Sequence, residues 1–205
     1  MEASVPESYP LREQKKRRTH AQLIDAAEKI FLQQGYNCTT MEEVAAKAGM
    51  HVQTLYRHFP TKIDLSVAIN TSHFEEFEIA FGEKRSTTID FWREWVRRSI
   101  TASTSIGVET LRENLRNRFT MQETPASFYE VDSNYETLLA SGIATDMGVS
   151  ASKDKRPMLI AGMLWSGHKQ VLRDWAMENR RRNIVSEVVC VVDTAVEMLQ
   201  LEELL

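Results

Sequence analysis

Glycine, proline and cysteine are all scarce in this chain of 205 residues, at eight, five and two. So few breakers let helices run long without interruption, a composition that suits an all-α protein. The two cysteines, Cys38 and Cys190, lie far apart with no Cys-x-x-Cys or Cys/His ligand spacing. That excludes a disulfide framework or a zinc motif, and both read as small buried hydrophobes. No apolar run approaches the roughly 20 residues needed to cross a bilayer. The densest cluster, Val188 to Val192, is only about a helical turn. The N-terminal stretch has basic residues but no apolar segment behind them, so a secretory signal is not expected and the expected location is cytoplasmic. Also missing are a nucleophile elbow, a phosphate loop, a metal-ligand cluster and paired carboxylates at a telling spacing. Neither an enzyme, a cofactor nor a metal is expected.

What is present is a hydrophobic content of 42%, enough for a substantial core in one large domain or two small ones. The net charge of −4 conceals a polarity along the chain. Residues 1–62 hold nine Lys/Arg against seven Asp/Glu, and the remainder 16 against 22. Arg12, Lys15, Lys16, Arg17 and Arg18 concentrate the positive charge near the start. A basic segment heading an acidic chain points to a polyanion bound at one end, although by itself such a run also fits a merely solvated face.

His20, Leu23, Ile24, Ala27, Ile30 and Phe31 recur at steps of three and four, the stripe of an amphipathic helix, which Gly35 ends. Thr40 followed three residues later by Glu43 has the spacing of a capping box and opens a second helix over about Met41–Ala48. Gly49 suits the left-handed backbone of a tight turn. A third, short helix follows over about Val52–Phe59, with Leu55 and Phe59 inward, and Pro60 stops it. Two helices joined by a short glycine-containing turn make a helix-turn-helix. With Leu55 and Phe59 inward, Val52, Gln53, Thr54 and Arg57 fall on other faces, flanked by Tyr56 and His58. Gln53 offers a donor and an acceptor to adenine, and Val52 or the Thr54 methyl suits a thymine methyl. Tyr56, Thr39, Thr40 and Lys62 suit phosphate oxygens, which set register without reading sequence.

The run AAEKIFLQQGYNCTTMEEVAAKAGMHVQTLYRHFPTKIDL closely resembles the DNA-binding domain of the TetR family of bacterial transcriptional repressors. The matching features are the Ala-Ala of the first helix, Phe31, Gly35-Tyr36, Thr39-Thr40, Val44-Ala45, Ala48-Gly49, Thr54-Leu55-Tyr56, His58-Phe59 and Lys62. The resemblance implies that Thr39, Val52, Gln53, Thr54, Tyr56, His58 and Lys62 sit where the family contacts DNA, with Arg17 and Arg18 in an N-terminal arm beside the groove. Two positions depart from it: His51 stands where the family commonly has a capping serine, and Gln53 where it commonly has a small residue. Histidine is a poorer cap, so the start of the recognition helix has free amides to offer a phosphate.

Three segments follow from this reading. Residues 1–18 form a basic, flexible arm, 19–62 the helix-turn-helix domain, and 63–205 a helical ligand-binding and dimerisation domain. Thr61 with Asp64 caps a connecting helix that ends at Gly82. Further helices are expected at about 88–105, 108–119, 125–147, 157–179 and 184–204, the third opened by Thr124-Pro125. That makes about nine.

In the last helix Val188, Val192 and Val196 belong to a broad stripe of small and β-branched residues; Gly162, Trp165 and Leu172 mark a similar stripe in the preceding one. Such stripes suit a four-helix interface between two copies or an internal core, and periodicity does not say which. The resemblance implies the homodimer, whose two-fold axis places two recognition helices on a palindromic operator. Phe77, Trp95, Phe128, Tyr135 and Met163 are plain core residues or, as the resemblance implies, the lining of a pocket for a small apolar or aromatic effector. The function so expected is a ligand-responsive transcriptional repressor. The competing readings are a helical dimer that docks on protein and a small-molecule enzyme.

Overall fold

The computed structural model describes residues 8–120, 126–178 and 182–199. Among them are nine helices and no strand: α1 (Ser8–Gln34), α2 (Met41–Lys47), α3 (Val52–His58), α4 (Lys62–Gly82), α5 (Thr88–Thr104), α6 (Val108–Phe119), α7 (Ala126–Asp146), α8 (Arg156–Met177) and α9 (Ile184–Leu199). The all-α class and the helix boundaries agree with the sequence to within a few residues, except at the start of α1; the expected end of the last helix at 204 lies outside the described residues. α1 begins twelve residues before the predicted stripe, so residues 8–18, expected as a flexible arm, are helical. A dense run of Arg, Lys, Glu and Gln is rich in good helix formers. It lacks only the apolar stripe by which a helix is recognised. The Thr124-Pro125 start expected for α7 lies outside the described residues.

The chain divides into two compact units after Ile69, inside α4, whereas the sequence reading placed the boundary at residue 62. In the first unit Leu23, Ala27, Val44, Ala45, Leu55, Phe59 and Leu65 form a small core. In the second, α8 packs against α7, α9 and α6, and α5 against α9 and α7. Their apolar faces meet around Trp92, Val96, Leu139, Ile143, Leu164, Val188 and Val192.

Local signals account for the termini. The Thr40 side chain accepts from the Glu43 amide at 3.2 Å and the Glu43 carboxylate from the Thr40 amide at 2.8 Å, completing the expected capping box. Thr61 and Asp64 repeat it at the start of α4, at 2.9 and 3.2 Å. Gly49 adopts φ +66° and Met50 N–H donates back to Ala45 O at 2.9 Å, which closes α2 and turns the chain into α3. His51 makes no side-chain cap, as its chemistry predicts. At the far end of α8, Arg112 donates to the carbonyls of Trp175 and Glu178 at 2.5 and 2.6 Å, and Arg116 to that of Ala176 at 3.0 Å. Two arginines one turn apart on α6 thus satisfy carbonyls that the end of a helix leaves unpaired.

Two expectations are overturned in the fold. Cys38 and Cys190 are both exposed rather than buried. Val188, Val192, Val196, Trp165 and Leu172, expected at a dimer interface, are all buried in the chain's own core, with Val188 and Val192 at most 1% exposed. A side chain already removed from water within one chain offers nothing to a second copy. Gly162 alone of that set stays on an open face, where an added Cβ would meet nothing within 4 Å.

Candidate functional site

In α3 only Leu55 is buried, which fixes the rotation of the helix and presents the remaining faces. Gln53, Tyr56 and Arg57 are exposed, and Val52, Thr54 and His58 half-buried. These six candidates thus share one short helix with accessible surface. Arg17 and Arg18 are exposed on α1. The basic stretch of α1 and the recognition helix act on a common group: burial and then the charges of His20, Arg57 and Lys16 lower the pKa of His58. His20 supports this edge of α3 through its ring, which lies 4.6 Å from that of Phe59 and 6.0 Å from that of His58. The positive charge gathered here suits a polyanion.

Three predicted phosphate contacts prove to be structural first. Thr39 is only 2% exposed and its hydroxyl donates to Gly35 O at 2.8 Å, so its side chain closes the loop before α2 instead of facing a ligand. Thr40 is exposed, but its hydroxyl belongs to the capping box. Lys62 Nζ donates to Tyr36 O at 2.7 Å and Thr39 O at 2.9 Å and sits 4.4 Å above the Tyr36 ring. Burial lowers its pKa. An ammonium has three donors, so one remains for a phosphate while the other two tie the start of α4 to the α1–α2 loop. The loop carbonyls acting as acceptors left no trace in the sequence.

In the second unit Phe77 is fully buried, ringed by Phe81, Phe91, Trp92, Trp95 and Tyr135 at centroid distances of 4.8–5.9 Å. Such a closely packed cluster makes Phe77 a core residue, with Trp95 half-buried at its edge. Phe128 and Tyr135, seven residues apart on one side of α7, are both buried. Tyr135 stacks on Trp165 with centroids 4.3 Å apart and planes at 11°. Trp165, assigned from sequence to the dimer, therefore joins the predicted ligand residues. Met163 leaves them: it is 37% exposed, on the outward side of α8 with Leu159.

Sequence reasoning passed over Asn114, whose side-chain polar atoms are buried. Asn114 is half-buried on the stripe of α6 that also carries Leu111 and Leu115, and Arg118, one turn on, is exposed. Across from them stands His168, whose ring lies 5.5 Å from Trp92 and 6.1 Å from Trp165. Burial, reinforced by the charge of Arg118, pushes the His168 pKa down to about 4. Burial pushes the Tyr135 phenol well above its usual value. The signal available was one amide, Asn114, on an apolar stripe. No group of three or more His, Cys, Asp or Glu side chains that would hold a metal occurs among the described residues.

Comparison with known proteins gives this arrangement a context. Residues 23–69 match the family described as "Bacterial regulatory proteins, tetR family". The HTH-type transcriptional regulator TcmR of Streptomyces glaucescens is 29% identical over 180 residues, covering 84% of this chain and 79% of that protein. The HTH-type transcriptional activator FasR of Mycolicibacterium smegmatis is 33% identical over 69 residues, 34% of this chain and 32% of that one. Among solved structures, the fatty acid degradation regulator FadR from Bacillus halodurans superposes with a TM-score of 0.65 at 17% identity, covering 89% of this chain and 96% of that one. FadR from Bacillus subtilis, solved in complex with stearoyl-CoA, gives 0.64 at 17% identity over 86% of this chain and 97% of that one. At such identities the structural likeness concerns the fold, while the matched segment and the regulators that share it supply the function. The chain belongs to the TetR family and is a DNA-binding transcriptional regulator, not an enzyme.

Proposed function

We propose that the protein is a homodimeric repressor that binds a palindromic operator and is released from it by a small apolar or aromatic effector. The observation carrying the DNA-binding half is α3 itself. One buried leucine sets its rotation, and Gln53, Tyr56 and Arg57 are left exposed on it beside the basic stretch of α1. Gln53, Val52 and Thr54 read bases; Tyr56, Arg57, His58, Arg17, Arg18, Thr40 and the third donor of Lys62 hold phosphates. A cytoplasmic location accords with work on DNA in a bacterium.

The dimer reading is kept but its face is revised. On α8, Leu159 and Met163 are large apolar side chains left 61% and 37% exposed, with Gly162 between them. On α9, Cys190, Thr194 and Met198 are exposed at four-residue steps. These two outward stripes, rather than the buried valines, pair with a second copy. The effector reading draws support from the aromatic and polar interior that holds Tyr135, Trp165 and the buried amide of Asn114, and from relatives of the same fold solved with fatty acyl-CoA. The effector shifts the equilibrium only by its differential affinity for the operator-binding and released states.

The test is binding to fragments from upstream of the protein's own gene and to scrambled DNA, at two salt concentrations. Tight, salt-sensitive binding to one palindromic fragment is expected. Gln53→Ala weakens mainly that fragment, by about 1–3 kcal/mol, whereas Tyr56→Phe weakens all DNA alike. If neither substitution changes binding, α3 is not the reading head.

A further inference from the structure

The α1–α2 loop holds the ammonium of Lys62 through uncharged partners. Gly35, at φ +86°, turns the chain out of α1. Tyr36 follows, its ring set edge-to-face against Phe31 of α1 with centroids 5.2 Å apart. The loop is closed on itself: Thr39 N–H donates to Tyr36 O at 3.3 Å and the Thr39 hydroxyl to Gly35 O at 2.8 Å. So fixed, it presents three surfaces to Lys62 of α4. Tyr36 O and Thr39 O accept from Nζ at 2.7 and 2.9 Å, and the face of the Tyr36 ring lies 4.4 Å below it. Tyr36 supplies two of these three contacts. Thr40, next in the chain, caps α2, which packs against both α1 and the recognition helix.

A lysine on the surface swings on a flexible stem and loses that freedom when it seats on a phosphate. A carboxylate partner would fix it beforehand but would also cancel the field that attracts DNA. Two carbonyls and a ring face fix the ammonium and leave its charge to act outward. The ring is attracted through its quadrupole, which needs no countercharge.

We infer that Tyr36 is a positioning residue for DNA binding: its ring and carbonyl hold the Lys62 ammonium where its third donor meets a backbone phosphate. The inference rests on the phosphate role proposed above for Lys62 and adds to the head a residue that acts through another.

Because a phosphate contact carries no sequence information, the probe is a fluorescently labelled scrambled duplex of about 30 base pairs, bound by the full chain at several salt concentrations. Lys62→Met should weaken binding and flatten the salt slope by about 0.9, the loss of one phosphate contact. Tyr36→Leu removes the ring and leaves the carbonyl; it should weaken binding about three- to tenfold, and Tyr36→Phe, which keeps the ring face, should restore it to within about twofold. In the Lys62→Met background Tyr36→Leu should cost less than about twofold, since the ammonium it positions is gone. Should Tyr36→Leu fail to fold, pentafluorophenylalanine at the same position takes its place. It keeps the shape of the ring and reverses the charge of its face, so it should weaken binding beside Lys62 and not in Lys62→Met. An equal loss in both backgrounds makes Tyr36 a packing residue and overturns the inference. Binding by Tyr36→Leu within about twofold of the unsubstituted protein overturns it too, as does Tyr36→Phe binding as weakly as Tyr36→Leu. If Lys62→Met changes neither affinity nor slope, the phosphate role of Lys62 falls, and the inference with it.

Discussion

Acidification should destabilise this protein through His168 before its carboxylates protonate. The pKa falls from an ordinary 6.5 to about 4 because the imidazolium is opposed first by burial and then by the Arg118 guanidinium. The Asp132–Lys169 ion pair, also reaching from α7 and α8, contributes one charge of each sign. The folded state holds the neutral ring, whereas the unfolded state takes up a proton near its ordinary pKa. In that window the unfolded state binds more protons, so stability falls as pH falls from about 6.5, and the loss is complete below about pH 4. At 1.36 kcal/mol per unit, the separation amounts to about 3 kcal/mol in all, and to about 2 kcal/mol at about pH 5. The assay is urea unfolding at a series of pH values for the unsubstituted protein and His168→Gln, which cannot titrate. His58, whose pKa is also lowered, shifts both proteins alike and cancels in the difference. The expected result is a stability difference that moves by about 2 kcal/mol in favour of His168→Gln between about pH 7 and pH 5. Parallel curves would show that His168 titrates as in water, and would refute the enclosed interior assigned to it.

Two further outcomes follow from packing. A Cβ at Gly142 would collide with the Phe81 ring and stand 2.5 Å from Thr88 Oγ1, so Gly142→Ala should lose about 1–3 kcal/mol in urea unfolding. Met163→Glu, on the outward face of α8, should lower the mass measured by light scattering towards that of a single chain; an unchanged dimer would place the interface elsewhere.

Much of the fold was legible because its signals are local. Thr40 with Glu43 and Thr61 with Asp64 name their helix starts in four residues each, since a capping box is closed by side chains three apart. Gly49 names the turn for a similar reason. The helix-turn-helix is short, and one leucine sets the rotation of its last helix. Legibility declined where a residue's role depends on a distant partner. Lys62 reads as a phosphate ligand until the carbonyls of Tyr36 and Thr39 are seen to hold it. Arg112 and Arg116 read as surface charges until the end of α8 comes to lie beside them.

By itself the sequence determined the all-α class, the order of the helices, nearly all their boundaries and the family, because hydrophobic period, caps and the matched segment are properties of neighbouring residues. Only tertiary structure decided which side of a helix is inside. α9 carries valine on several faces, so its period does not choose between a core and a partner. Packing against α8 and α5 chose, burying Val188, Val192 and Val196 and turning Cys190, Thr194 and Met198 outward. The same convergence of helices enclosed His168 between the rings of Trp92 and Trp165, where low polarisability gives a single charge its leverage.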